Sequence, residues 1–207
     1  MQSLACLLIG YVLGSVSPSA ILSSWKGRDL RREGTGNLGA TNTILVMGKR
    51  LGMLVMVLDI FKSYLAARIA QRIFTNFILA GLLASLGAVI GHIYSMFLHF
   101  HGGKGVAALG GMMLFYDPRF FWLLIAVAII LMLVTNLGVA GPASAAILFP
   151  ILVYIDSGSL PMAAVCGCAG LLILLSHREN IRKIRSGQEI LVNSFLDRVV
   201  MPRFRLH

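Results

Sequence analysis

Residues 34–42 read GTGNLGATN, and the reading of that stretch decides the fold. Gly34, Gly36 and Gly39 spell G-x-G-x-x-G, which in a soluble α/β unit carries the chain from a strand into a helix and holds a dinucleotide. No strand pattern precedes it here. Residues 3–22 form one apolar run, and a basic stretch with Lys26, Arg28, Arg31 and Arg32 fills the gap. The nucleotide reading therefore fails for want of its structural context. What survives is the chemistry of the letters: glycines let backbone N–H groups converge on an anion, and Thr35, Asn37, Thr41 and Asn42 add side-chain donors. Thr41 or Asn42 is also placed to cap a following helix, whose positive end favours a phosphate or carboxylate.

Composition agrees with the apolar neighbourhood. The chain has 207 residues, 57% hydrophobic and 13% charged, with a mean hydropathy of +0.85. A bilayer solvates such helices directly, at about 20 residues per crossing. Continuous rather than alternating apolar runs argue against a β-barrel. The expected fold is an all-α, polytopic membrane helical bundle forming one domain over 1–207. Its apolar segments lie near 3–22, 51–67, 76–98, 105–116, 119–135, 142–155 and 160–176, which makes about seven spans, the fourth short. Asp117-Pro118, Gly138 through Pro142 and Asp156 through Pro161 supply the breaks.

The net charge of +10 is concentrated on one predicted face, so it calls for membrane lipid and not nucleic acid. Lys26, Arg28, Arg31, Arg32, Lys49, Arg50 and Lys104 share that face with Arg178, Arg182, Lys183, Arg185, Arg198, Arg203 and Arg205, whereas Arg68, Arg72 and Arg119 fall opposite. The positive-inside rule then places the N-terminus outside and the C-terminus in the cytoplasm. The basic tail, 178–207, is expected to lie on anionic lipid as an interfacial segment. Cys6, Cys166 and Cys168 stand in apolar runs without metal-ligand spacing, so neither a disulfide framework nor a metal site is expected.

Two further polar stretches fall on the cytoplasmic side. HGGKGVAALGG, 101–111, departs from a Walker A loop, because Leu98 and Gly105 occupy its first-glycine and hydroxyl positions. Gly102, Gly103 and Gly105 around Lys104 still make an adaptable backbone beside one cation. SHRENIRKIRSGQE, 176–189, puts His177 and Asn180 on one face of any helix continuing from the last span, flanked by Arg178 and Glu179. Packing accounts for glycines between membrane helices, but it gives no reason for three such stretches to share a surface. Asp59 and Lys62, three residues apart within a span, are expected to pair.

In order and spacing these stretches resemble the bacterial membrane glycerol-3-phosphate acyltransferases that use acyl phosphate as donor, the PlsY family. The resemblance runs from Gly14-Ser15 through Asp29-Leu30-Arg31 and Gly34–Asn42, and takes in Asp59, Lys62 and Gly91-His92. It continues with the G-G-K-G-V-A of Gly102–Ala107 and ends with His177, Asn180-Ile181 and Gly187–Glu189. It implies transfer of a fatty acyl group to the 1-hydroxyl of sn-glycerol 3-phosphate at the cytoplasmic face of the bacterial inner membrane, with no cofactor and no metal. On that reading His177, Lys104 and Asn180 are catalytic. Thr35, Gly36, Asn37, Thr41, Asn42, Gly102, Gly103, Gly105 and Arg178 hold substrate phosphate, and Asp59, Lys62, His92 and Glu189 support the site. The base is either His177 or a substrate phosphate oxygen. Thr35 stands where the family usually has Ser, Leu45 where it commonly has Arg, and His101 where Lys is frequent. The segment TNLGVAGP, 135–142, lacks the basic and Ser-rich character of the corresponding family loop. The alternative is a membrane transporter or binder of an organic phosphate. Transporters place their sites near the bilayer midplane, often in repeated halves, and no repeat is visible here. A metal-dependent phosphotransferase would need clustered aspartates, which this chain scatters.

Overall fold

The computed structural model describes residues 1–187 and 191–200, and the described residues are helical apart from turns and one isolated β-bridge, Leu137–Leu191. The helices are α1 (Gln2–Ser15), α2 (Pro18–Trp25), α3 (Ala40–Met47), α4 (Lys49–Ile73), α5 (Ala80–Ile93), α6 (Val106–Tyr116), α7 (Pro118–Thr135), α8 (Ala140–Ser157), α9 (Leu160–Ser176), α10 (Arg178–Arg185) and α11 (Val192–Val200). Each of the seven apolar segments is helical. By length and composition, however, four stretches qualify as crossings, and a fifth if α9 and α10, bent by 44°, count as one. At 11 residues, α6 rises only about 16 Å against a hydrocarbon core of about 30 Å. The 25-residue α4 is long enough, but Asp59, Lys62 and the basic residues near its ends make it too charged to qualify by composition.

Helix α5 is the centre of the bundle: 61% of its apolar window is buried, against 11% for α7 at the periphery. Small residues cover one side of α5, where Ala80, Ala84 and Ala88 meet Cys6 of α1 and Ala66 and Ala70 of α4. Large ones cover the other, where Leu82 and Val89 join Leu109, Met112, Leu124, Phe149, Val153, Cys166 and Ile173 from α6–α9. Lipid tails are as apolar as leucine, so membrane helices associate through close packing of small residues. The α1–α5 contact uses Gly10 and Gly14 on one helix and Gly87 and Gly91 on the other. A methyl group on Gly14 would lie 2.2 Å from the Ala88 carbonyl oxygen, and one on Gly87 2.2 Å from that of Leu7. Gly14→Ala is accordingly expected to cost stability at the upper end of the roughly 1–3 kcal/mol typical of overpacking. Thermal unfolding of the purified protein checks this against Gly138→Ala, whose added methyl meets nothing within 4 Å.

The first apolar segment contains a break that its composition conceals. Val16 is extended (φ −66°, ψ 122°), and Ser17 caps α2 by accepting from the Ala20 N–H at 3.3 Å. Inside a bilayer a freed carbonyl needs a partner, and the Lys62 ammonium donates to the Val16 carbonyl at 2.7 Å. The tail is anchored to the bundle. Val192 is buried (8% exposed), and its N–H donates to the Asn136 carbonyl at 3.1 Å. Helix α11 thus packs against α3 and α7, while residues 201–207 lie outside the described residues.

Candidate active site

The loop between α2 and α3 is organised by Asn42, which is fully buried. Its Oδ1 accepts from the Thr35 N–H at 2.7 Å, and its Nδ2 donates to the carbonyls of Leu30 (2.8 Å) and Glu33 (3.1 Å). Both amide hydrogens are therefore committed to carbonyls of the loop itself, where the sequence suggested a phosphate partner. Gly34 (φ 62°) and Gly36 (φ 74°) take left-handed turns, and a methyl on Gly34 would stand 2.1 Å from Asn42 Oδ1. Neither Thr41 nor Asn42 is the cap of α3. Gly39 holds that position with no side-chain cap bond, leaving the positive helix end with Thr35 and Thr41 exposed beside it and Asn37 half-buried.

Arg28 braces the loop, its Nε donating to Glu33 at 3.0 and 2.9 Å. This hydrogen bond holds the Glu33 carboxyl below its ordinary range. The brace is present above the usual carboxylate pKa and is lost as pH falls through the depressed value.

The second glycine loop is built differently from the cradle expected of it. The Gly102 N–H donates to the Ile93 carbonyl at 2.9 Å and the Gly103 N–H to that of His92 at 3.0 Å. Those two amides close the end of α5 and are not available to a phosphate. The glycines are needed for close approach instead: a methyl on Gly103 would lie 2.4 Å from the Leu38 carbonyl oxygen. Gly105, at φ 82°, begins α6 without a side-chain cap bond. The Leu38–Gly103 approach therefore brings together the loops that lead into α3 and α6, and a helix N-terminus favours an anion. Arg31 ties the same two loops, donating from Nη2 to the carbonyls of Leu98 (3.2 Å) and His101 (3.0 Å).

The third stretch joins them through Lys104. Its ammonium donates to Asn180 Oδ1, and its carbonyl accepts from the Ser176 hydroxyl at 3.0 Å. His177 sits at the bend between α9 and α10 and is buried, with Nδ1 2.8 Å from the Ile173 carbonyl. A carbonyl only accepts, so Nδ1 carries the hydrogen and any proton chemistry of this imidazole runs through Nε2. Arg178 is exposed at the start of α10. Glu189 lies outside the described residues.

Behind the second loop, Asp59 Oδ1 is 2.8 Å from Lys62 Nζ and 3.3 Å from His92 Nδ1, all three side chains being buried. His92 continues outward to the loop, since its carbonyl takes the Gly103 N–H and a methyl on Gly103 would stand 2.4 Å from His92 Nε2. Sequence reasoning missed Arg31 and Ser176 as struts. Arg31 stood out only as part of the Asp29-Leu30-Arg31 motif, with no partner indicated, and Ser176 could have been found only as the hydroxyl preceding H-x-x-N. Among the described residues no group of three or more His, Cys, Asp or Glu is placed to hold a metal ion.

Asn42→Ala would orphan the Thr35 N–H and two carbonyls, at about 1–3 kcal/mol for each group left buried without a partner. The variant is expected to stay folded in its bundle while trypsin cuts faster after Arg31 or Arg32; an unchanged digestion rate would count against Asn42 as the organiser of the loop.

Residues 4–187 match the family model described as glycerol-3-phosphate acyltransferase. Among curated relatives, the glycerol-3-phosphate acyltransferase of Geobacillus kaustophilus is 36% identical over 184 residues, covering 88% of this chain and 92% of its own. Glycerol-3-phosphate acyltransferase 1 of Deinococcus radiodurans is 38% identical over 190 residues, covering 91% and 95%. Among solved structures, PlsY (YgiH), an integral membrane glycerol 3-phosphate acyltransferase, in its glycerol 3-phosphate form, superposes with a TM-score of 0.85 at 31% identity. That match covers 92% of this chain and 96% of the other. The lysophosphatidic acid form of PlsY gives 0.80 at 28% identity.

Proposed function

Since the chain belongs to the glycerol-3-phosphate acyltransferase family, we propose that it moves a fatty acyl group from acyl phosphate to the 1-hydroxyl of sn-glycerol 3-phosphate. The products are lysophosphatidic acid and inorganic phosphate. The protein is a multi-pass membrane protein with the all-helical fold of PlsY. Its N-terminus lies outside the bacterial inner membrane, and its site faces the cytoplasm, where Lys and Arg concentrate.

One observation carries the reading: the loops that lead into α3 and α6, neither helix with a side-chain cap, approach at Leu38 and Gly103, and Lys104 of the second loop reaches Asn180 on the helix that His177 begins. Donor and acceptor each bring a phosphate, and a pair of adjoining anion sites suits that pair of substrates. Thr35, Gly36, Asn37 and Thr41 serve one phosphate. Lys104, with Gly105 and the first turn of α6, serves the other, and Arg178 adds charge at the rim. The acceptor hydroxyl attacks the carbonyl carbon, the bond to the phosphate oxygen breaks, and phosphate leaves with the electron pair. Acyl phosphate is a mixed anhydride, so positioning of the reactants, worth roughly 7–11 kcal/mol, carries most of the catalytic burden. The proton goes either to His177 Nε2 or to a substrate phosphate oxygen. His177 and Asn180 orient the groups around Lys104, and no cysteine or serine nucleophile is required.

The test is phosphate release by the purified protein in lipid, with acyl phosphate or acyl-CoA as donor, with and without glycerol 3-phosphate. Release that needs both acyl phosphate and glycerol 3-phosphate and yields lysophosphatidic acid is expected. Turnover of acyl-CoA alone would move the donor assignment. No turnover, with phosphate still bound in a Lys104-dependent way, would replace the enzyme by a binder or transporter.

A further inference from the structure

Helix α11 lies beyond residue 187, where the family match ends, and its attachment to the bundle is specific. Asn136 closes α7 in the left-handed conformation (φ 57°, ψ 20°). From there its carbonyl accepts the Val192 N–H at 3.1 Å and its Oδ1 accepts the Asn193 N–H at 2.9 Å. These belong to the first turn of α11, among the amides that a helix cannot satisfy internally. One asparagine 57 residues distant in sequence therefore caps α11 twice. Leu137 and Leu191 add an antiparallel bridge, Val192 is buried, and the helix rests on α3 as well as α7.

Helix α3 also packs against α4, where Ile44 fills the space a side chain at Gly52 would take. We infer that α11 is a brace that fixes α3, and with it the anion site at the N-terminus of α3, and that Asn136 is the positioning residue that locks the brace. The inference rests on the proposed reading of that site only for its effect on substrate; the clamping of α3 stands on geometry.

Three variants separate the parts. Asn136→Gly keeps the left-handed turn but removes Oδ1, Asn136→Asp keeps both the turn and an acceptor, and Val192→Asp dislodges α11 through its buried contact. Amide hydrogen exchange over residues 40–47 is read alongside KM for both substrates and kcat, with Thr41→Ala as the reference for the anion site. We expect Asn136→Gly and Val192→Asp to exchange faster over 40–47. Each should also raise, about fivefold for the lost hydrogen bond, the same KM that Thr41→Ala raises, with kcat held and Asn136→Asp like the parent. If Thr41→Ala raises a KM and Asn136→Gly does not, the brace is overturned. Should Thr41→Ala change nothing, the site reading fails and exchange alone decides: faster exchange over 40–47 in Asn136→Gly upholds the brace, and unchanged exchange ends it.

Discussion

Lys104→Ala is expected to lower glycerol-3-phosphate-dependent phosphate release by about 10²- to 10³-fold, the usual cost of deleting one preorganised donor facing developing charge. The backbone at this position is held by other groups. Ser176 grips the Lys104 carbonyl, Gly103 is tied to His92, and Gly105 starts α6. The variant should therefore keep its fold, and its unfolding temperature should match the parent. The loss is assigned to the ammonium, which Asn180 aims across the gap between the second loop and α10. Lys104→Arg is not expected to rescue fully, because a planar guanidinium does not replace a compact point charge on a short path. Steady-state phosphate release by folded protein in lipid measures the effect. Activity within a few-fold of the parent would remove Lys104 from the chemistry and leave it a strut.

The largest expected effect on stability belongs to Asp59. Asp59→Leu leaves the Lys62 ammonium buried, with the Val16 carbonyl as its remaining partner shown by the structure. Breaking a buried pair from one side typically costs about 3–5 kcal/mol, whereas replacing both charges by apolar groups is often neutral. Asp59→Leu should therefore unfold at a markedly lower temperature, and Asp59→Leu/Lys62→Met should recover much of the loss. Calorimetry in one detergent–lipid mixture measures the three proteins. A double variant no more stable than Asp59→Leu would mean that the groups left behind, the Val16 carbonyl without Lys62 and His92 without the carboxylate 3.3 Å away, cost as much as the unpaired ammonium. Activity of a stable double variant reports on the Gly103 loop separately from folding.

Much of the architecture was legible because composition answers directly to the solvent. Continuous apolar runs exclude strands from a bilayer, and all seven runs are helical. The break at Val16 was not legible, because its cure, Lys62, lies 46 residues away. The short reach of α6 was legible, since the run between Gly105 and Asp117 is visibly shorter than its neighbours. At the proposed site, the sequence showed residue types but not which of their hydrogen-bonding groups are already engaged. Asn42, Gly102 and Gly103 resemble ligands by type, yet their hydrogen bonds are spent on Thr35, Leu30, Glu33, Ile93 and His92.

A helical membrane protein and the family it resembles could be read from the residues alone, because hydropathy, charge and spacing are properties of the chain. Which backbone amides are engaged, and which loops approach each other, follows from the folded chain. A donor's availability depends on every acceptor within about 3 Å, and the acceptors of Asn42, Gly102 and Gly103 are brought to them by turns of the chain that residue types alone do not reveal.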